Sequence, residues 1–325
     1  MTPKNDRPLK IISGSANPKL ASDIANQIGV ELSPSLISTF SDGECQIEIH
    51  DNMRGCDVFV IQPTCPPTDH NIMELYFILD ALKRSACWRV TAVIPYYGYG
   101  RQDRKIKPRV PISAKAVANL LATGGLDRVL TIDLHSGQIQ GFFECPVDHL
   151  YGSKVFLDHM KANLKEHTVL LSPDAGGTDR VYHYSKRLNL PMATSYKKRS
   201  GPNEIEQLII LGAVKSQHVI VVDDMIDTAG TLCKIAYLAM NEGAKSVTCY
   251  ATHAVLSGKA AERIQESPIS RVYVTDTIPP SPENDPFSYQ AITNKIERVS
   301  VAPLFAEAIL NIHYETSVST LFAGL

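Results

Sequence analysis

The chain has 325 residues, 44% hydrophobic and 20% charged, with a formal net charge of −2. That is ordinary globular composition, and the length suits about two domains of ~150 residues, each with its own core. A near-neutral balance excludes a general attraction to nucleic acid or anionic membrane, and no apolar run reaches the ~18 residues of a membrane span.

Elements read in chain order alternate between short β-rich runs and helical ones. Strands are expected at 9–13, 58–62, 90–95 and 129–133, with helices at 20–28, 72–84 and 113–122 between or beside them. The second half repeats the pattern, with strands at 169–172, 219–222, 247–251 and 272–275 and helices at 178–188, 231–243, 258–265 and 303–312. Such alternation implies mostly parallel sheets flanked by helices. There is an internal echo: strand, helix, strand over 58–95 matches strand, helix, strand over 219–251 in order and spacing, though not in residues. It predicts two similar α/β domains in tandem, 1–150 and 151–297, parted near Tyr151. The N-terminus lacks the apolar stretch of a secretion signal, and seven cysteines without a Cys-x-x-Cys pair support neither a disulfide framework nor a zinc knuckle. A reduced, cytoplasmic protein is the simplest expectation.

The densest chemistry lies in His218-Val-Ile-Val-Val-Asp-Asp-Met-Ile-Asp-Thr-Ala-Gly-Thr-Leu232. The β-branched run predicts a strand buried on both faces, and Leu232, Ile235, Ala236 and Ala239 fall on one side of a helix starting at Thr231. The loop between them then sits where open α/β sheets bind ligands. Backbone N–H groups of Thr228 to Thr231 are expected to face an anion, with Gly230 allowing close approach. Asp223 and Asp224 would repel a phosphate unless they face sugar hydroxyls or a divalent cation, so the loop reads as a sugar-phosphate site. The plain alternative is a helix capped by Asp227, but a cap needs one acid and this loop has three.

Four other segments read less sharply. Arg101-Gln-Asp-Arg-Lys105, following a strand, suits a polyphosphate or is a solvated charged loop. Phe40-Ser-Asp-Gly-Glu44 reads first as a turn. His135, closing Asp133-Leu-His135, suggests hydrogen bonding or acid–base work, and a structural histidine is the better reading of it alone. Lys197-Lys-Arg-Ser-Gly-Pro-Asn-Glu204 is a polar loop that by itself signifies only surface.

Taken together these segments carry a resemblance. Val221 to Thr231 resembles the phosphoribosyl-diphosphate motif of the type I phosphoribosyltransferase superfamily. Phe40–Glu44, Tyr96-Tyr-Gly-Tyr-Gly-Arg-Gln-Asp103, Asp133–His135 and Ser172-Pro-Asp-Ala-Gly-Gly177 resemble, in the same order, motifs of the ribose-phosphate diphosphokinase family. The resemblance implies two tandem phosphoribosyltransferase-like domains, with 298–325 packing back on the first. It implies ATP and ribose 5-phosphate as substrates, giving 5-phosphoribosyl 1-diphosphate and AMP. Phe40, Asp42, Gly43, Glu44, Arg101, Gln102 and Asp103 would then bind ATP, the first four across a subunit boundary. Asp223, Asp224, Asp227, Thr228, Ala229, Gly230 and Thr231 would hold ribose 5-phosphate with Arg199, and Lys197 and Arg199 would be catalytic. His135 and Asp174 would ligate Mg2+, and a hexamer would be the assembly. Ser200-Gly-Pro202 departs from many relatives, which carry a further basic residue and no proline there. A phosphoribosyltransferase or a non-catalytic regulatory relative are the alternatives; the first needs no ATP motifs, and the second should lack Lys197, Arg199 or the magnesium ligands.

Overall fold

The computed structural model describes residues 6–198, 207–280 and 293–321, which fall into two compact units. The first contains the residues through Tyr151, Thr277–Pro279 and the segment from Val301 onward. Its strands β1 (Leu9–Ser13), β4 (Asp57–Ile61), β5 (Arg89–Ile94), β6 (Arg128–Ile132) and β7 (Val147–Leu150) form one five-stranded sheet in the order β1-β4-β5-β6-β7. Every pairing in that sheet is parallel. All five residues of β4 are buried, as expected of a strand covered on both faces. The covering helices are α1 (Pro18–Ile28), α2 (Thr68–Arg84) and α3 (Ser113–Thr123). The start of α1 is set by Pro18 and by Asn17, whose Oδ1 accepts the Leu20 N–H at 3.2 Å; its end is set by Gly29 at φ 83°. Strands β2 (Ser35–Thr39) and β3 (Cys45–Ile49) form a separate antiparallel hairpin.

The second unit holds a seven-stranded sheet in the order β10-β9-β8-β11-β12-β13-β14. Its strands are β8 (Thr168–Ser172), β9 (Met192–Lys198), β10 (Gln207–Leu211), β11 (His218–Ile226), β12 (Ser246–Ala254), β13 (Ile269–Thr275) and β14 (Ile296–Val299). Only β9 and β10 pair antiparallel. Helices α4 (Ser153–Ala162), α5 (Thr178–Leu188), α6 (Gly230–Asn241) and α7 (Ala260–Glu266) belong to this unit. The chain leaves β8 toward β9 on one side and resumes at β11 on the other. The strand order therefore reverses between the parallel neighbours β8 and β11, and the crevice at their carboxyl ends is a topological switch point. The expected βαβ echo is present as β4-α2-β5 and β11-α6-β12, both with parallel strands.

The last described helix, α8 (Ala302–His313), belongs to the first unit and packs on α1. Buried Asp57 anchors it: Arg89 donates to both carboxylate oxygens, at 2.9 and 2.6 Å, and His313 Nδ1 lies 2.8 Å from Oδ2. Arg89 Nη2 also donates to the Ile312 carbonyl at 2.9 Å.

Candidate active site

The switch point of the second unit carries most of the acidic residues marked by the sequence. Strand β11 runs further than its apolar stretch. It stays in register with β12 through Asp223 opposite Ala251 and Ile226 opposite Ala254. The expected strand end at Val222 is thus corrected to Ile226, because β12 is long enough to supply ladder partners and overrides the poor strand propensity of aspartate. Only Asp227, Thr228 and Ala229 separate β11 from α6, which begins at Gly230 and not at Thr231. Asp227 accepts a hydrogen bond from Ser257 Oγ, and the Thr228 carbonyl accepts one from Arg263 Nη1 at 2.7 Å. The cap position belongs to Ala229, at φ 59° and with no side-chain bond to the helix, which removes the capping account of Asp227. A Cβ added at Gly230 would meet no protein atom nearer than Thr228 Oγ1 at 3.8 Å, so neither packing nor a positive φ calls for glycine there.

Asp223 and Asp224 form a tight pair at the end of the sheet. The Asp224 N–H donates to Asp223 Oδ1 at 2.8 Å, and the Asp224 side chain is 8% exposed. Removal from bulk water, the Asp224 charge and its hydrogen bonding hold the Asp223 carboxyl well above the usual carboxylate range, and Arg180 pulls it the other way. The Asp223 side chain, at 31% exposed, nevertheless still reaches solvent. Arg180, on the first turn of α5, places Nη1 3.5 Å from Asp223 Oδ1 and 3.4 Å from Asp224 Oδ1. The sequence reading missed Arg180, and nothing in Thr178-Asp-Arg180 marks it out before the sheet order is known.

Asp174 stands in the loop between β8 and α5. The Ser172 hydroxyl donates to its carbonyl at 2.7 Å, and its Oδ1 accepts the Gly177 N–H at 2.9 Å. The residue is exposed, and its carboxylate retains acceptor capacity beyond that one bond. Lys197 lies on β9 opposite Leu208 of β10, so the polar loop expected from Lys197 begins instead as a strand. Arg199 and Ser200–Pro202 lie outside the described residues.

In the first unit, two motifs converge. The loop after β5 places Gly100 so that an added Cβ would sit 3.8 Å from His135 Cβ, which sets the Arg101–Gln102 turn beside His135. Arg101 and His135 are exposed and Asp103 is half-buried. Gln102 also has a structural role: its Oε1 accepts from Ser113 Oγ at 2.6 Å and its carbonyl accepts the Ala114 N–H at 3.2 Å, tying the loop to α3. Tyr97, in the same motif, is core. Its hydroxyl donates to the Ala114 carbonyl at 2.8 Å and its ring meets Phe143 edge-on. The turn carrying His135 is held tightly. Asp133 adopts φ 42°, an unfavourable conformation for a non-glycine residue. The Asp133 N–H donates to the Leu150 carbonyl at 3.0 Å, and the Leu134 N–H donates to buried His149 Nε2 at 2.9 Å, so that nitrogen carries no proton.

Phe40 to Glu44 form the tip of the β2–β3 hairpin, closed by the Phe40 N–H to the Glu44 carbonyl at 2.8 Å and by Gly43 at φ 94°. The turn reading is correct, and Phe40 stands 49% exposed on it. The seven cysteines are all free, and burial raises the thiols of Cys65, Cys87 and Cys145 to about 11, which suits none of those three to nucleophilic work. Among the described residues no helix is long and apolar enough to cross a membrane.

Two mostly parallel sheets flanked by helices, one of them carrying adjacent acids at its switch point, define a protein of phosphoribosyltransferase-like fold. The family described as the N-terminal domain of ribose phosphate pyrophosphokinase matches residues 9–125, and the phosphoribosyl synthetase-associated domain matches 178–323. A ribose-phosphate pyrophosphokinase of Helicobacter pylori is 48% identical over 97% of this chain and 96% of its own, and one of Aquifex aeolicus is 46% identical over 97% and 99%. The crystal structure of phosphoribosylpyrophosphate synthetase from Mycobacterium smegmatis covers 95% of this chain and all of its own at 36% identity, with a TM-score of 0.87. The chain belongs to the ribose-phosphate pyrophosphokinase family, and it is an enzyme of that type.

Proposed function

We propose that this enzyme transfers the β,γ-diphosphoryl group of ATP to the anomeric hydroxyl of ribose 5-phosphate, giving 5-phosphoribosyl 1-diphosphate and AMP. The anomeric oxygen forms a bond to the β-phosphorus, the bond from that phosphorus to the α,β-bridging oxygen breaks, and the hydroxyl proton leaves to solvent. The observation that carries the reading is family membership along nearly the whole chain, at 48% identity over 97% of its length. In support, the acidic loop lies at the switch point of one unit and a basic loop lies beside His135 in the other. A phosphoribosyltransferase that consumes the activated sugar would need only the former.

Residues 1–150 with 298–325 form the ATP domain in this reading, and 151–297 the ribose 5-phosphate domain. Asp227, Thr228, Ala229, Gly230 and Thr231 take the 5-phosphate on the N–H groups that open α6, while Asp223 and Asp224 take the ribose hydroxyls. Arg101, Gln102 and Asp103 bind ATP, and Phe40, Asp42, Gly43 and Glu44 reach the nucleotide of a neighbouring subunit, Phe40 stacking on the base. This requires a homo-oligomer, a hexamer in this reading, working in the cytoplasm. His135 and Asp174 are the proposed ligands of Mg2+. At Asp174 the donor chemistry fits, since it offers a solvent-facing carboxylate and magnesium commonly takes one or two protein ligands and completes its shell with phosphates and water, while the nitrogen of His135 is an unusual magnesium ligand. The ion, when bound, neutralises charge developing on the phosphates.

Lys197 and Arg199 are the proposed catalytic residues, stabilising charge around the attacked phosphorus. A preorganised donor of this kind contributes about 3–4 kcal/mol, so Lys197→Ala should lose roughly a hundredfold or more in kcat with little change in the KM for ribose 5-phosphate. Near-normal turnover would remove Lys197 from the mechanism. Gly230→Ala separates ligand approach from folding. Alanine is favoured over glycine in a helix by about 0.5–1 kcal/mol, so Tm should hold or rise while the KM for ribose 5-phosphate climbs. An unchanged KM would place the phosphate elsewhere. A product assay decides between the two chemistries: AMP released from ATP and ribose 5-phosphate supports this reading, and diphosphate released from phosphoribosyl diphosphate and a base overturns it.

A further inference from the structure

Arg180 belongs to no motif that the family resemblance supplied, yet its Nη1 lies 3.5 Å from Asp223 Oδ1 and 3.4 Å from Asp224 Oδ1. Two adjacent carboxylates at the closed end of a sheet repel each other, and one of the side chains is only 8% exposed. A pair meant to grip a second divalent ion would leave that space to the ion. Here a permanent cation of the protein faces both acids, and a guanidinium does not lose its charge at any ordinary pH.

We infer that Arg180 is the positioning residue for the ribose: its guanidinium holds the Asp223 and Asp224 carboxyl groups aimed, so that the sugar hydroxyls donate to them directly, without a second divalent cation between acid and sugar. This rests on the reading that Asp223 and Asp224 face ribose 5-phosphate. The placement of Arg180 fits the role. It is carried by α5, whose entry is closed by the Asp174 bond to the Gly177 N–H, so one rigid helix start sets both Asp174 and the guanidinium. A carboxyl oxygen accepts from a sugar hydroxyl, and the Arg180 contact leaves lone pairs on both acids for it.

The test titrates ribose 5-phosphate into the full-length enzyme by calorimetry, without ATP, in EDTA and again in millimolar Mg2+, for the wild type, Arg180→Met and Arg180→Lys. The wild type is expected to bind alike in both buffers. Arg180→Met should bind at least about tenfold more weakly in EDTA, the usual scale for losing a charged hydrogen-bond partner, and recover in part when Mg2+ replaces the missing cation. Arg180→Lys, keeping the charge, should bind between the two. In turnover, Arg180→Met should raise the KM for ribose 5-phosphate far more than it lowers kcat, with the KM for ATP unchanged, a split that a merely structural role would not give. If Arg180→Met does not fold, Arg180→Met/Asp224→Asn removes both charges together; it should fold and bind ribose 5-phosphate poorly. Wild-type binding that requires Mg2+, or wild-type affinity in the Met or the double variant, overturns the inference. A wild type that neither binds ribose 5-phosphate nor forms AMP rejects the functional reading itself, which is a different result from an indifferent Arg180.

Discussion

Asp223→Asn is expected to give a protein that melts higher than the wild type at neutral pH and no longer holds ribose 5-phosphate. The folded state holds the Asp223 proton more tightly than the unfolded chain, whose carboxyl titrates near 3.8, because burial and Asp224 both oppose ionisation. The sign follows from linkage. Where the native state binds more protons than the unfolded one, stability falls as pH rises. Asp223 therefore lowers stability progressively from pH near 3.8 up through its raised folded value, and the whole loss is present above that. Asparagine never ionises, so the variant should lack this pH-dependent loss, and Tm should rise at neutral pH by about 2–4 °C for each ~1 kcal/mol relieved. Function moves the opposite way. Exchanging a carboxyl oxygen for an amide nitrogen, which only donates, should weaken ribose 5-phosphate binding about 10- to 100-fold. Scanning calorimetry between pH 4 and 8 checks the first part and ribose 5-phosphate titration the second. A lower Tm at neutral pH would show that Arg180 more than offsets the burial, and unchanged affinity would take Asp223 out of the sugar site.

The largest loss of stability is expected in the first unit, at Asp57. Its carboxylate is fully buried and is contacted by Arg89 at 2.9 and 2.6 Å and by His313 at 2.8 Å. Arg89 in turn reaches the Ile312 carbonyl and stacks over Trp88 at 4.7 Å. Asp57→Ala leaves a largely buried guanidinium without its counter-ion, a change that costs about 3–5 kcal/mol. The bonds tie β4 and β5 to the end of α8, so that end should loosen first. Thermal melting should drop by ten degrees or so by the usual scaling of about 2–4 °C per kcal/mol, while both KM values of the protein still folded at low temperature stay near wild type. A Tm within about 2 °C of wild type would mean that the network contributes little beyond what hydrophobic packing supplies.

The parallel sheets were legible because β-branched runs such as Val58–Ile61 and Val219–Val222 need burial on both faces, and only a helix-covered sheet provides it. The acidic loop was legible because three carboxylates beside a glycine exceed what a helix cap requires. Other elements were hidden by their polar content. Strand β7 reads Val-Asp-His-Leu, and its Asp148 is paired with Arg128 Nη1 at 2.6 Å, a partner remote in sequence. Strands β2 and β3 are half-exposed, and only the Ser-Asp-Gly turn between them signalled the hairpin. The expected domain break near Tyr151 leaves no mark of α4, whose buried Phe156 and Met160 lie four apart. Arg180 was illegible for a different reason. Its meaning comes from the sheet order, which sets α5 beside the end of β11, and no local pattern encodes that order. Gln102 shows the converse, a residue read for its ligand that also ties the loop to α3.

The most direct test of the whole account is to follow a label on the β-phosphorus of ATP during turnover with ribose 5-phosphate and Mg2+. Attack at the β-phosphorus predicts that the label leaves with the sugar, in equal amount to unlabelled AMP, and only when ribose 5-phosphate is present. Label retained in ADP would mean ordinary transfer of the γ-phosphoryl group, and it would contradict the assignment of this fold and site to diphosphoryl transfer.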